Sequence, residues 1–212
     1  MKKIFFVMVL VMSMFLSACN YGERKIEKAT EDTAVKVIVT PTTAPAPGTT
    51  GQVTTSLEVC GQEGIIILAA SYYTAMEEGN TTSLMSLVSS PELINEDYFN
   101  KYENITDVNI KRVYTMEGTG VVDTIAYVYY EVTIDGIETP VPSLDELFIS
   151  NDNGTFYIYN GKVPTNEYNE VVSLTSAEGV QQLVTSVNRE FMNALEADEE
   201  LKTYMDSLGT NA

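Results

Sequence analysis

Apolar positions fall into distinct regimes along the chain. Ile4 to Phe15 form a nearly unbroken apolar run behind Lys2 and Lys3. From there to residue 56 no period holds, and Val35 to Val39 is a brief apolar run inside a mixed stretch. After Gly61 the period becomes helical. Ile65, Leu68, Ala69, Tyr72 and Met76 recur at i, i+3, i+4, i+7 and i+11, which predicts one buried stripe, with Gly79 placed to end the helix. A second, short helix is expected from Thr81 or Thr82, burying Leu84, Leu87 and Val88. Ser90-Pro91-Glu92 reads as an N-cap, a first-turn proline and an acid that suits the helix dipole. It predicts a third helix to about Lys101, with Leu93, Ile94 and Tyr98 inward.

The period then changes to two. Val108, Ile110, Arg112 and Tyr114 alternate with Asn109, Lys111 and Val113, a strand signature. Glu117-Gly118-Thr119-Gly120 turns the chain into its longest strand, Val121 to Ile134. On that strand Ile125, Tyr127, Tyr129, Glu131 and Thr133 share one face. Thr124, Ala126, Val128, Tyr130, Val132 and Ile134 share the other, more apolar one. Asp135-Gly136 is a turn, and Ile137 to Val141 is expected to pair briefly with the strand before it, although Pro140 and Pro142 confine this segment to an edge or loop. Glu146 to Ser150 and Thr155 to Asn160 form a hairpin around Asn151-Asp152-Asn153-Gly154. Helical periodicity returns last. Thr175 and Glu178 have the spacing of a capping box, followed by the stripe Val180, Leu183, Val184, Val187, Phe191 and Leu195, then a further turn opening at Asp198-Glu199-Glu200. Helices followed by a run of antiparallel strands define an α+β domain.

The start of the chain bears on where this domain works. Leu16-Ser17-Ala18-Cys19 follows the apolar run, which is too short for a spanning helix of ~20 residues. With the two lysines, it resembles the lipobox of bacterial lipoprotein signal peptides. The resemblance implies a signal peptide over 1–18 and a mature chain beginning at a lipidated Cys19, anchored to the outer face of the cell membrane. The alternative is an ordinary secreted protein in which Cys19 is incidental. Residues 19–56 then form a tether, whose stretch Pro41 to Gly51 is rich in Pro, Thr and Gly and cannot build a core. Residues 57–212 form the folded domain.

Composition narrows the chemistry. The formal charge of −18 disfavours nucleic acid and anionic lipid surfaces, so membrane contact is expected through the acyl anchor alone. The chain has no His and two Cys, which removes His-dependent catalysis and Cys/His zinc sites. If Cys19 is lipidated, Cys60 has no intramolecular partner and reads as a small apolar residue. Gly118-Thr119-Gly120 is followed by a strand and not a helix, so it is no phosphate loop. Asp152-Asn153-Gly154 reads as a turn, lacking the terminal Glu of a calcium loop. No metal, cofactor or catalytic residue is assigned.

The order of elements, with Tyr72-Tyr73, Glu77-Glu78-Gly79-Asn80, the Tyr-rich strand Ala126-Tyr127-Val128-Tyr129-Tyr130 and Phe156-Tyr157-Ile158-Tyr159, looks like the NTF2-like (cystatin-like) cone fold, of the kind carried by small extracellular lipoproteins of gut Firmicutes. The resemblance spans roughly 62–160 and implies helices packed on a curved antiparallel sheet, with the C-terminal helices as an addition. It also implies a cavity between helix and sheet, for which the candidate lining is Tyr72, Tyr73, Met76, Tyr127, Tyr129 and Glu131. Three functions follow as expectations: a tethered, non-catalytic module binding a small molecule, peptide or protein; a His-free enzyme of the ketosteroid isomerase or polyketide cyclase type, needing a pocket carboxylate (Asp97, Asp123 or Glu131) facing a Tyr donor; and a homodimeric assembly module using an open Tyr127/Tyr129 sheet face.

Overall fold

The first long helix, α1 (Glu63–Glu77), buries the predicted stripe together with Tyr73 and Ala75. In this computed structural model the described residues are 56–95, 99 and 104–209. The apolar leader, Cys19, the tether to residue 55, Asp97, Tyr98 and Lys101 lie outside them. Helix α1 stops where Gly79 takes φ +61°, a left-handed conformation that costs glycine little. Gly79 N–H donates to the Met76 carbonyl and Asn80 N–H to the Ala75 carbonyl at 2.8 Å, a Schellman pairing. Asn80 at once caps α2 (Thr81–Leu87), its side-chain oxygen accepting from Ser83 N–H at 3.0 Å. Leu84 and Val88 are buried as expected, with Leu87 packed beside them.

Where the third helix was predicted, the described residues show a 3₁₀ turn, Pro91–Leu93, and Phe99 in 3₁₀ geometry; residues 96–98 and 100–101 lie outside them. Its start signal is real, but Ile94 is already extended and reaches the core that way, while Leu93 is left 49% exposed. Asn160 fixes the entry by accepting from Ser90 N–H at 2.8 Å and donating to the Ser90 carbonyl at 2.9 Å. A turn held at one end and pulled straight at the other has no room to propagate past its costly nucleus.

The sheet is a five-stranded antiparallel meander of β1 (Glu58–Val59), β2 (Ile105–Thr119), β3 (Val122–Ile134), β4 (Val141–Asp152) and β5 (Thr155–Ile158), in that order. Strand β4 starts earlier than its pattern suggested, with Pro142 paired opposite Glu131. The β4–β5 hairpin turns through Asn153 and Gly154, both at positive φ, as a type I′ turn requires. The β2–β3 hairpin is as tight, Thr119 pairing with Val122 across Gly120 and Val121. There Gly118 is needed for closeness, since a Cβ on it would stand 2.1 Å from the Val122 carbonyl oxygen. Gly118→Ala is expected to open this hairpin at a cost of ~1–3 kcal/mol or more, read as a lower denaturation midpoint.

Both faces of β3 are buried. Val128, Tyr130, Val132 and Ile134 join α1 and α2 in the larger core. Ile125 and Tyr127 join Met116 and Val122 beneath α3 (Thr165–Thr175) and the start of α4 (Glu178–Ala197). Helix α3 was not expected from the sequence. The capping box also gives way: Thr175 donates its hydroxyl to the Val172 carbonyl within α3, and α4 begins after Ala177 without a side-chain cap. Phe191, Ala194 and Leu195 of α4 pack on the larger core. There α5 (Glu199–Gly209) adds Leu201, which is fully buried. Asp198 starts α5, its carboxylate accepting from the N–H groups of Glu200 and Leu201 at 2.9 and 3.0 Å. The Thr139 hydroxyl, and then these amides, hold the Asp198 carboxyl below its ordinary range.

Candidate functional site

The sheet divides the six residues that the sequence grouped as a pocket. Tyr72, Tyr73 and Met76 project from α1 into the larger core and are 3%, 1% and 1% exposed. Tyr127, Tyr129 and Glu131 lie on the other face of β3, on the side of α3 and α4. A strand's side chains alternate, so no pocket can contain both sets.

The tyrosine that meets Tyr72 and Tyr73 is Tyr130. The Tyr73 and Tyr130 rings are 4.8 Å apart and tilted, and Tyr72 meets Tyr73 edge-on at 5.3 Å. Tyr73 donates its hydroxyl to Asp145 Oδ2 at 2.9 Å, and Tyr130 also hydrogen-bonds this carboxylate. Burial, then the charge of Asp145, pushes the Tyr130 phenol well above its ordinary pKa, so both rings act as donors. Asp145 sits opposite Val128 on β4, which puts it on the α1 face. The phase of β3 carried this signal, since Tyr130 shares its face with Val128 and Val132. Chemically the group resembles an oxyanion hole, but the phenol donor already touches its acceptor, and Val128, Leu147 and Met76 fill the surroundings. The arrangement ties α1 to β4 and leaves no place for a reacting atom between donor and acceptor.

The second face carries two more tyrosine–carboxylate pairs. Tyr127 donates to Glu146 Oε1 at 2.6 Å, between β3 and β4. Tyr129 donates to Glu190 Oε2 at 2.5 Å, between β3 and α4. Burial raises both phenols, and the adjacent carboxylates raise them further. Glu131 is drawn to the rim by an ion pair with Lys111 at 2.7 Å. The face expected to be open for a second copy is thus occupied by the chain's own helices.

Two grooves lie on the surface of the described residues. One, of about 320 Å³, is lined by Ser56, Glu58, Gln62, Thr115, Glu117 and Asp123; Asp123 accepts there from Asn151 N–H at 2.8 Å. The other, of about 410 Å³, lies between Ile137 and α5, with Glu199, Glu200 and Tyr204 on its wall. Cys60 is buried, its thiol directed at the Gln62 carbonyl. Among the described residues no set of three or more His, Cys, Asp or Glu is placed to hold a metal ion, and no helix is long and apolar enough to cross a membrane. Comparison with protein-family models, curated proteins and solved structures finds no match to this chain.

Proposed function

We propose that this protein is a bacterial lipoprotein anchored through Cys19 on the outer face of the cell membrane, with a non-catalytic domain that recognises a protein or peptide partner through its exterior. The finer fold reading is an NTF2-like cone with helices added at its C-terminus, supported by the order of helices before a meander. The observation that carries the functional reading is the filled interior. The space between α1 and the sheet, where a small ligand would lie, is occupied by Tyr72, Tyr73, Met76 and Tyr130, all buried. Recognition is thereby left to the surface.

The outward side of α1 is the surface best suited to it. Residues 64–76 carry no charge, whereas residues 57–212 hold 26 acidic residues against six basic ones. Ile66 and Ile67 are 41% and 56% exposed on that side. An uncharged apolar stripe on a strongly acidic domain is where an apolar contact costs least desolvation.

The test uses the full-length chain on the surface of its own cells, with a photo-crosslinking residue at Ile67 and, as a control, at Glu200. A discrete protein adduct from Ile67 alone supports the reading, and an adduct of twice the chain's mass would identify the partner as a second copy. No adduct at Ile67 would overturn it. Cys19→Ala tests the anchor separately, and is expected to move the chain from the membrane fraction to the medium.

A further inference from the structure

We propose that the α3–α4 layer is a proton-linked cover over the second sheet face, held more tightly when the Glu146 side chain is protonated. The inference does not depend on the function proposed above.

It starts from where Glu146 sits. Along β4, Phe148, Glu146 and Leu144 face α4, opposite Ile125, Tyr127 and Tyr129 of β3. Leu183 and Val184 of α4 pack in the cluster that contains Ile125 and Phe148, and Glu190 reaches Tyr129. Glu146 therefore lies between two stations of the same helix, itself half-buried, beside Tyr127, which is 3% exposed. A half-buried carboxyl group thus lies beneath α4.

Its surroundings do little for its charge. Tyr127 is the hydrogen-bond partner, at 2.6 Å. The other ionisable groups on this face are engaged elsewhere or exposed. Lys111 pairs with Glu131, Arg112 is exposed opposite Tyr129, and Tyr114 stands opposite Tyr127. From the helices, Glu190 holds Tyr129 and Glu167 of α3 accepts from Val121 N–H at 2.9 Å, while Arg189 and Glu170 are exposed. Among the described residues, no cation offsets a negative Glu146. Burial accordingly raises its carboxyl above the ordinary value, and the Tyr127 bond pulls it only part of the way back.

Lifting the cover returns Glu146 to water and to its ordinary pKa, so the closed state binds the proton more tightly than the open one. The closing free energy is then fully favourable below the ordinary glutamate value. It declines as pH rises through the raised closed-state value and levels off above it. Tyr127, pushed upward, stays protonated throughout and does not compensate. Asp198, with its carboxyl lowered, acts with the opposite sign and only at the acid end, on α5.

The experiment is amide hydrogen exchange on the full chain at about pH 5 and about pH 7.5, corrected for intrinsic exchange, since each unit of pKa displacement is worth about tenfold in the opening equilibrium. Amides of α4 are expected to lose protection severalfold at the higher pH, while those of α2, which carries no ionisable side chain, do not. Glu146→Gln, which keeps an acceptor for Tyr127, should abolish the difference. Tyr127→Phe removes the one donor to the ionised form and should enlarge it. Equal α4 protection at both pH values in the unmodified chain, or an undiminished difference in Glu146→Gln, would overturn the proposal.

Discussion

Leu201→Ala is expected to destabilise the whole domain by ~2–5 kcal/mol, the range for a leucine truncated in a core that cannot fully collapse. Leu201 is fully buried, and it packs with α1 residues and the β3 end in one cluster although it belongs to the last helix. The loss should appear as a fall in Tm of about 2–4 °C per kcal/mol for a domain of this size, with a single transition and an unchanged denaturant slope. Met192→Ala on α4, where the side chain is 52% exposed, should change stability by no more than ~0.5 kcal/mol. If Leu201→Ala behaved like Met192→Ala, α5 would be an accessory outside the cooperative unit, and the larger core would have to close without it.

The second large effect is expected at Tyr73, where two substitutions separate packing from hydrogen bonding. Tyr73→Ala removes a ring that is 1% exposed and packed edge-on to Tyr72 and tilted against Tyr130, and should cost ~3–5 kcal/mol. Tyr73→Phe keeps the ring and deletes the donor to Asp145, and should cost ~1–3 kcal/mol because a carboxylate loses one of its partners. Chemical denaturation of the two variants measures both. A phenylalanine variant as stable as the parent would mean that Tyr130 alone satisfies Asp145, and that the ring rather than the hydroxyl ties α1 to the sheet.

Much of the fold was legible in the sequence because its signals are local. The stripe of α1, the glycine that ends it and the Asn153-Gly154 hairpin each depend on a few neighbouring residues, and each appears where the pattern put it. The failures have physical reasons. Helix α3 was missed because Thr165-Asn-Glu-Tyr-Asn-Glu is polar and lacks a clear stripe; its remaining signal was Pro164 at the entrance with Glu167 in the first turn. The third helix breaks at Ile94 because a start signal says nothing about tertiary forces that straighten the chain there. Among the candidate site residues, alternation correctly grouped Tyr127, Tyr129 and Glu131. The more apolar character of the other face marked it as the one that meets α1, so Tyr130 and not Tyr127 joins Tyr73. The tyrosine–carboxylate contacts to Asp145, Glu146 and Glu190 join residues 19 to 72 positions apart, and local pattern carries no trace of such pairings.

The connectivity of the larger core also has a consequence for the order in which the chain can fold. The meander pairs each strand with its sequence neighbour, so β2 through β5 can zip up by short loop closures as soon as they are made. The same sheet needs α1 from before it and Leu201 from near the end of the chain to seal its larger core. A polypeptide delivered N-terminus first therefore holds its strands while its interior stays unsealed until the last ten or so residues arrive. Such a chain keeps the apolar face of its sheet exposed for most of its synthesis and locks only when Leu201 docks.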